Sequence, residues 1–285
     1  MSPAPVATRP ASLVGLRCRI SEAAPCALGI EPLVHALAAR LDARPRMIGT
    51  PPSQPSPQRS YADDLSAARG CLLEAGGQVD DALTEGRLPV LVHGDCSICI
   101  GTLPALARHE AEAKVLWLDA HGDFNTPDTS PSGWLGGMSL AGACGRWDPG
   151  LGQPPFPAER VVLCGVRELD AGERELLERS AATVIGASLE TLVYLANALD
   201  GAPVYVHLDP DVLDPAVFPA QFPADGGLSA EKLYDLMEAV AGSCRVVGLE
   251  LAAFHAPDDT AERARCADLL AAAVEPLLGT ANHGH

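Results

Sequence analysis

Short apolar runs recur along the chain and predict strands that are covered on both faces of a sheet. The apolar residues in each run follow one another instead of alternating with polar ones. The predicted strands are Pro89–Val92, Val115–Leu118, Arg160–Val166, Val204–Leu208 and Arg245–Leu249. Because half-exposed strands show strict alternation, its absence favours a buried, parallel sheet.

Longer amphipathic stretches separate these runs and predict helices. They are Gly29–Leu41, Tyr61–Gly86, Ile98–Glu112, Asp170–Ser180, Ser229–Ala241 and Asp259–Leu278. The last two begin with Ser or Asp, which often cap the first turn of a helix. Alternating strands and helices imply right-handed crossovers, so the expected fold class is α/β with a mainly parallel sheet.

Residues 1–285 are predicted to form one domain, since this length suffices for a large α/β core. The proline-rich segments Met47–Ser60 and Trp147–Ala158 are interpreted as surface loops, because the pattern resumes unchanged after each. Residues 1–10 and 280–285 are expected to be irregular. The opening segment lacks the features of a secretory signal, and no apolar run reaches the roughly 20 residues that a membrane span needs.

Charge and cysteine usage narrow the function classes. A formal net charge of −17 disfavours nucleic acid and anionic membranes as partners, because an acidic surface repels phosphate. The 9 cysteines are odd in number and scattered, apart from the pair Cys96 and Cys99. In a chain of this length they are interpreted as reduced, mostly buried thiols of a cytoplasmic protein.

Acidic residues cluster where two predicted strands end. Asp119-Ala-His121-Gly-Asp123 follows one strand, and His207-Leu-Asp209-Pro-Asp211 covers the end of another. Ligand sites in open parallel sheets gather at the carboxyl ends of strands, so both segments should face the same crevice. Carboxylates brought together there would repel one another unless a cation lay among them. Oxygen ligands with one imidazole suit a divalent ion such as manganese.

Other readings of these residues are weaker. Cys96 beside His121 could form a cysteine hydrolase, but neighbouring carboxylates would raise the thiol pKa and oppose that chemistry. The pair Cys96 and Cys99 could form a redox dithiol or half of a zinc site. No second pair completes a four-cysteine pattern, so chance spacing is the better interpretation.

The motifs resemble those of arginases and related ureohydrolases. Asp119-Ala-His-Gly-Asp-Phe-Asn-Thr-Pro127 with Ser132-Gly133 is similar to the family signature, and Leu208–Pro215 is similar to its second metal motif. The segment Val92–Ser97 stands where the family has a Gly-Gly-Asp-His-Ser turn. The resemblance runs from about Pro89 to Pro257, in the same order and with compatible spacing.

The resemblance implies a three-layer α/β/α sandwich that assembles into trimers or hexamers. It also implies one or two manganese ions, with other divalent metals as alternatives, holding a hydroxide that attacks the guanidinium carbon. By position, Asp119 and Asp209 would bridge the metals, and His121 and Asp211 would complete one ion. Asp123 would complete the other ion and hydrogen-bond the hydroxide as the catalytic residue.

The same resemblance implies a binding site for the amino-acid end of a small guanidino substrate. Asn125, Ser132, Asp170 and Glu173 stand at the corresponding positions. An arginine-like amino acid is therefore favoured over agmatine, which lacks a carboxylate.

The chain departs from arginases at three positions. Cys96 replaces a metal-binding histidine, and its softer sulfur would lie in or against the coordination shell and favour zinc or iron. Gly136 replaces a histidine proposed to relay protons. Ala253 replaces a glutamate that pairs with the guanidinium, and Glu250 or His255 on the same strand could compensate, although a structural use of both is favoured.

The first two departures resemble the Nω-hydroxy-L-arginine amidinohydrolase branch, of the D-cycloserine biosynthesis type. The predicted function is hydrolysis of Nω-hydroxy-L-arginine or L-arginine to ornithine and hydroxyurea or urea. Two alternatives stay open. One is another amidino or formimino hydrolase, of the agmatinase, guanidinobutyrase or formiminoglutamase type, and the other is a degenerate, non-catalytic subunit.

Overall fold

The computed structural model describes residues 9–18, 24–41, 43–50, 60–188 and 191–279. Its strands are β1 (Ala11–Arg17), β2 (Arg46–Gly49), β3 (Leu88–His93), β4 (Lys114–Leu118), β5 (Val161–Cys164), β6 (Thr183–Ile185), β7 (Val204–Leu208) and β8 (Val246–Leu251). They form an 8-stranded sheet in the order β2-β1-β3-β8-β7-β4-β5-β6. Every neighbouring pair is parallel.

Helices connect these strands and cover both faces of the sheet. They are α1 (Ala24–Leu41), α2 (Tyr61–Thr84), α3 (Cys99–His109), α4 (Ser139–Ala143), α5 (Ala171–Arg179), α6 (Thr191–Leu199), α7 (Ala230–Ser243) and α8 (Thr260–Val274). Short 3-10 turns at Cys96–Ile98 and Pro210–Val212 follow β3 and β7.

Two hydrophobic cores lie on opposite faces of the sheet. Side chains of α1, α6, α7 and α8 form one core with Leu116 and Leu118 of β4. Side chains of α2, α3, α4 and α5 form the other with Val115 and Trp117 of the same strand. Successive side chains of a strand point to opposite faces, so each core receives alternate residues. The predicted three-layer α/β/α sandwich is confirmed.

The continuous apolar runs located the centre of the sheet. All the predicted strands and helices are present, with ends shifted by a few residues. The prediction omitted β1, β2, β6, α4 and α6. It also assigned Met47–Ser60 wholly to a loop, which is wrong at its start, because Met47–Gly49 belongs to β2.

The omitted strands lack the pattern on which the prediction relied. Strands β2 and β6 are short, partly exposed edge strands. Strand β1 is interrupted by Gly15, a residue that usually weakens a strand. Here a side chain at Gly15 would collide with Met47 of β2, so the glycine permits their close approach.

Some predictions lie on residues outside the described ones. These are residues 1–8, residues 51–59 of the predicted loop and residues 280–285. The segment Trp147–Ala158 is a loop up to a 3-10 turn that begins at Ala158. The single-domain organisation of residues 1–285 stays a prediction.

The interpretation that all cysteines are reduced is wrong at one pair. Cys18, just after β1, and Cys71 of α2 form a disulfide with their Cα atoms 5.9 Å apart. Cys96 and Cys99 are free thiols. A cytoplasmic location therefore stays a prediction that this disulfide does not support. Among the described residues, no helix has the length and apolar character needed to cross a bilayer.

Candidate metal centre and substrate pocket

The two acidic motifs lie side by side because their strands are neighbours. Strands β4 and β7 pair in parallel, with Leu118 opposite Leu208. Asp119 and Asp209 are the next residues of the two strands, and the backbone N–H of Asp209 donates to the carbonyl of Leu118 at 2.8 Å. Both carboxylates therefore lie at the same edge of the sheet.

A single pocket opens at this edge, with a volume of about 670 Å³. The predicted metal ligands and the predicted substrate-binding residues all line it. They are Cys96, Asp119, His121, Asp123, Asn125, Ser132, Asp170, Glu173, Asp209 and Asp211. Residues separated by more than a hundred positions in the chain thus converge on one cavity.

One group of metal-type ligands is formed by Asp119, His121 and Asp211. Nδ1 of His121 lies 3.3 Å from Oδ1 of Asp119 and 3.0 Å from Oδ2 of Asp211. One ligand atom of each residue lies within 4.8 Å of the others. Trp117 donates to Oδ2 of Asp119 at 3.2 Å, and the backbone of Ala120 donates to Asp211 at 3.0 Å, so both carboxylates are fixed.

Asp209 and Cys96 form the other side of the centre. The Cys96 thiol donates to Oδ2 of Asp209 at 3.2 Å, and the backbone N–H of Asp211 donates to Oδ1 at 2.9 Å. Cys96 is held here by the turn after β3, which Asp95 caps through the N–H of Ser97. The sulfur of Cys96 thus lies against the carboxylate of Asp209.

The protonation of these groups reflects burial and mutual repulsion. Burial, followed by the charge of Asp211, raises the pKa of Asp119 to about 7. Burial and neighbouring carboxylates also raise the pKa of Asp123, Asp209 and Cys96 well above their usual values. Burial opposes protonation of His121, but its hydrogen bonds to the two carboxylates raise its pKa to about 12. The cluster thus holds protons that a bound cation would replace.

Asp123 occupies a strained position beside this cluster. Its φ of 48° lies in the left-handed region, which costs an Asp less than most side chains. Its carbonyl accepts the N–H of Ala141 at 3.1 Å, and its Oδ2 accepts the Ser139 hydroxyl at 3.3 Å. Helix α4, which the sequence did not predict, therefore fixes Asp123.

Three of the predicted substrate-binding residues, Asn125, Asp170 and Glu173, form a connected polar wall. Asn125 donates to Oδ2 of Asp170 at 2.9 Å. Glu173 accepts the backbone N–H of Phe124 at 2.8 Å and forms a capping box with Asp170 at the start of α5. Glu173 thus braces the wall through both of its oxygens. Ser132 also lines the pocket but is exposed, and its hydroxyl lies 3.5 Å from the Ser130 hydroxyl.

Comparison with known proteins identifies the family. The arginase family model matches residues 58–278. An Nω-hydroxy-L-arginine amidinohydrolase from Streptomyces lavendulae is 40% identical over 216 residues, 74% of this chain and 77% of the relative. An arginase from Bacillus caldovelox is 36% identical over 218 residues, 70% of this chain and 72% of the relative.

The chain belongs to the arginase family.

Solved structures agree with this assignment. A crystal structure of arginase from Bacillus subtilis superimposes with a TM-score of 0.82 at 28% identity, covering 94% of this chain and 98% of that one. The predicted enzyme class, a hydrolase acting on linear amidines, is confirmed by these relatives.

The donor set of this arginase-family chain fits divalent metals. Carboxylates that are buried, close together and aimed at a shared space repel one another without a cation. The group Asp119, His121 and Asp211 offers oxygen and nitrogen ligands, as manganese prefers. The thiol of Cys96 adds a softer donor beside it.

An aromatic pair lies beside Gly136, where the resemblance implied a proton-relaying histidine. A Cβ at Gly136 would lie 2.8 Å from Nε1 of Trp134, so the indole fills the space of a side chain there. Trp134 meets Phe222 edge-on, with ring centroids 5.7 Å apart, and Phe222 meets His121 in the same way at 6.3 Å. These two rings form the apolar wall of the pocket mouth.

Ala253, where arginases carry a glutamate, also lines the pocket and has a φ of 46°. Neither suggested substitute lines it. Glu250 is fully buried, and although burial opposes its charge, the hydrogen bond with His207 and the nearby imidazole of His93 lower its pKa. His255 lies farther along the loop. The favoured structural use of Glu250 agrees with this geometry.

Sequence reasoning missed two residues of the site. Phe222 lies in a loop with no motif around it, so nothing in its neighbourhood signalled a role. His207 was read only as part of an acidic motif, yet a ring nitrogen lies within 4.8 Å of ligand atoms of Cys96 and Asp119. The strand pattern carried a signal for His207, because it is a polar residue inside a buried run.

Proposed function

We propose that this chain hydrolyses a guanidino C–N bond of Nω-hydroxy-L-arginine or L-arginine, giving ornithine and hydroxyurea or urea. The observation that carries the proposal is the convergence of a buried carboxylate–imidazole cluster and a polar wall in one pocket. Relatives named Nω-hydroxy-L-arginine amidinohydrolase and arginase support the substrate class.

We propose manganese as the metal, in one or two sites. Asp119, His121, Asp123, Asp209 and Asp211 would hold it, with Cys96 against the second site. When bound, the metal supplies a Lewis acid that lowers the pKa of water, so that a nucleophile exists near neutral pH.

Asp123 is the proposed catalytic residue among the protein groups. Fixed by Ser139 and Ala141, its carboxylate would orient the attacking water by accepting a hydrogen bond from it. The strained backbone at Asp123 supports this role, because such strain gathers at functional sites.

The polar wall would hold the amino-acid end of the substrate. Asp170, already an acceptor for Asn125, would receive the α-ammonium group, while Asn125 and Ser132 would donate to the α-carboxylate. Glu173 would keep Asp170 in place through the capping box. Agmatine would lose the carboxylate contacts and should bind less well.

Ala253 supports a second candidate function. A pocket without a carboxylate at this position lacks a partner for a buried guanidinium, so a neutral or smaller amidino or formimino group would bind without loss. A non-catalytic subunit is opposed by the cluster itself, since unused buried carboxylates would only destabilise the fold.

The test is turnover by the full-length protein loaded with manganese. Nω-hydroxy-L-arginine and L-arginine are supplied separately, and the release of ornithine is assayed. Agmatine, guanidinobutyrate and formiminoglutamate are supplied in parallel reactions, in which the amine or amino acid released from each is assayed. Release of ornithine that is lost in Asp119→Asn and kept in the surface variant Glu112→Gln would support the proposal. Turnover of formiminoglutamate alone would favour the second candidate, and metal-loaded protein without any turnover would contradict both.

We also propose a homo-oligomer, a trimer or hexamer. Exposed apolar side chains gather at one edge of the sheet, on β6 and α6: Val184, Leu192, Val193 and Tyr194. Light scattering of the purified protein measures the assembly, and a monomer at micromolar concentration would contradict the proposal.

A further inference from the structure

His207 is a fully buried imidazole directly beneath the carboxylate cluster. It belongs to β7, two residues before Asp209, and has no exposed surface. Its Nε2 has no hydrogen-bond partner within the part of the chain that the structure describes. A buried ring nitrogen without a partner costs free energy unless a ligand completes it.

The other ring nitrogen of His207 is already engaged. Nδ1 lies 2.7 Å from Oε1 of Glu250. Glu250 also accepts hydrogen bonds from the hydroxyls of Thr102, at 2.8 Å, and Tyr205, at 2.9 Å. A carboxylate that accepts from these partners needs the N–H of the imidazole as a donor. Nδ1 therefore carries the proton, and Nε2 presents a lone pair.

Packing fixes the direction of this lone pair. The imidazole of His207 stacks on the indole of Trp117, with ring centroids 3.5 Å apart and planes 1° from parallel. Trp117, His207 and Glu250 are neighbours across β4, β7 and β8, so the sheet register holds all three side chains on one face. The ring cannot turn away without breaking both the stack and the bond to Glu250.

Two other potential metal ligands lie close to the imidazole of His207. Ligand atoms of Cys96, Asp119 and His207 all lie within 4.8 Å of one another, and all three residues are buried. Metal-binding histidines commonly donate their other N–H to a carboxylate, which orients the ring and raises its basicity as a ligand. Glu250, His207 and this cluster reproduce that arrangement.

We propose that Nε2 of His207, Sγ of Cys96 and a carboxylate oxygen of Asp119 form a nitrogen–sulfur–oxygen metal site next to the Asp119–His121–Asp211 group. With one sulfur and one imidazole, this site selects a softer divalent ion, zinc or cobalt, over manganese. The two groups share Asp119 but differ in their other ligands, so the chain holds two unlike metal sites. This inference rests on the proposed metal centre and assigns one of its two sites to a softer ion, which leaves manganese for the other.

Cobalt is the probe for this site, because a cobalt–thiolate bond has a charge-transfer absorption that oxygen and nitrogen ligands do not give. Metal-stripped, full-length protein is titrated with Co²⁺ under reducing conditions that keep Cys96 a thiol. The wild type should develop the band, and Cys96→Ser should lack it. His207→Gln should bind this ion more weakly by about tenfold or more, with an altered band.

His93→Gln is the matched control. His93 is also fully buried and its Nε2 lies 3.8 Å from Glu250, but it is not part of the cluster. This variant disturbs the same carboxylate without removing a proposed ligand, and it should keep the wild-type band. A His207→Gln protein that folds and keeps the wild-type band and affinity would overturn the inference.

A zinc-loaded wild-type crystal gives a test that needs no variant. An anomalous peak about 2.0–2.1 Å from Nε2 of His207 and about 2.3 Å from Sγ of Cys96 is expected. A peak that contacts neither atom, or no metal uptake, overturns the inference. A different result would contradict the proposed function. If the protein binds metal at this site but hydrolyses no amidine, the inference stands and the proposed function is wrong.

Discussion

Gly136 and Trp134 show how one small residue reshapes the pocket of this arginase-family chain. The absence of a side chain at Gly136 lets the Trp134 indole lie against its backbone, where it joins Phe222 at the pocket mouth. Where the resemblance implied a histidine, the pocket instead has an aromatic wall formed by Trp134 and Phe222. The pocket therefore presents apolar surface at a place where the resemblance to arginases implied a polar group.

Gly136→Ala should therefore disturb the pocket. Its Cβ would approach Nε1 of Trp134 to 2.8 Å, which forces the indole to move. We expect KM for the preferred substrate to rise by roughly tenfold, about 1.4 kcal/mol, and the tryptophan fluorescence to change. The matched control is Gly137→Ala, where an added Cβ meets nothing within 4 Å. Equal effects of the two substitutions would contradict this role of Trp134.

Ala253→Glu tests why the glutamate is absent. The residue lines the pocket, so a carboxylate there would pair with a guanidinium cation. A hydrogen bond to a charged group contributes about 1.5–3 kcal/mol. We therefore expect kcat/KM for L-arginine to rise by about ten- to a hundredfold relative to Nω-hydroxy-L-arginine, a weaker base whose cation gains less.

Ala253→Gln separates charge from size, because it has the same length without the negative charge. It should leave the ratio of the two substrates near the wild-type value. If the glutamine and glutamate variants shift the ratio equally, the effect is steric and the charge argument fails.

At the scale of elements, an ion pair connects the residue that follows α3 with the residue that precedes β8. Both terminal nitrogens of Arg245 donate to the carboxylate of Glu110, at 2.8 and 2.7 Å. The hydrogen bond from Arg245 lowers the pKa of Glu110 below its usual value of 4.5. A lowered pKa in the folded state adds stability above the unfolded pKa, and this stability is lost as the pH falls through the folded pKa.

Glu110→Gln should consequently lower the free energy of unfolding at pH 7 by about 0.2–1 kcal/mol, the range of exposed ion pairs. The difference from the wild type should shrink as the pH falls below about 4.5. Urea unfolding at several pH values measures both. Glu112→Gln is the control, since its pair with Arg160 is long, at 3.9 Å, and highly exposed. A difference for Glu110→Gln that does not change with pH would contradict the ion-pair explanation.

The elements that sequence alone could locate are those whose burial is complete. Strands β3, β4 and β7 are buried along almost their whole length, so their apolar runs are nearly continuous. Edge strands bury only part of each side chain and leave a weaker pattern. Helix α4 was missed for a different reason: it has only 5 residues, too few to show a helical period.

At the scale of the whole molecule, sheet order decides which side chains meet. The spacing of the two acidic motifs indicated that Asp119 and Asp209 would share a crevice, because each follows a buried strand. The contact between His207 and Glu250 depends instead on β7 and β8 being in register, which no local pattern reveals. The sequence therefore indicated that the carboxylates would converge, and it did not indicate the imidazole of His207 beneath them.

The whole molecule should respond to metal through its stability. Buried carboxylates that repel one another are stabilised when a cation binds the folded state only. At a free Mn²⁺ concentration of 100 Kd, the gain is about 2.7 kcal/mol, which for a chain of this size corresponds to a rise in Tm of roughly 5–10 °C. Differential scanning calorimetry with and without Mn²⁺ measures it.

Asp209→Asn supplies the decisive comparison. The amide oxygen can still accept the N–H of Asp211, as Oδ1 of Asp209 does now, while one buried carboxyl group with a raised pKa is removed. Without metal, this variant should melt at or above the wild-type temperature, because repulsion among the carboxylates is relieved. With Mn²⁺, its Tm should barely change, since a metal ligand has been lost. A variant that melts well below the metal-free wild type, yet keeps the full shift with Mn²⁺, would show that Asp209 serves the fold and not the metal.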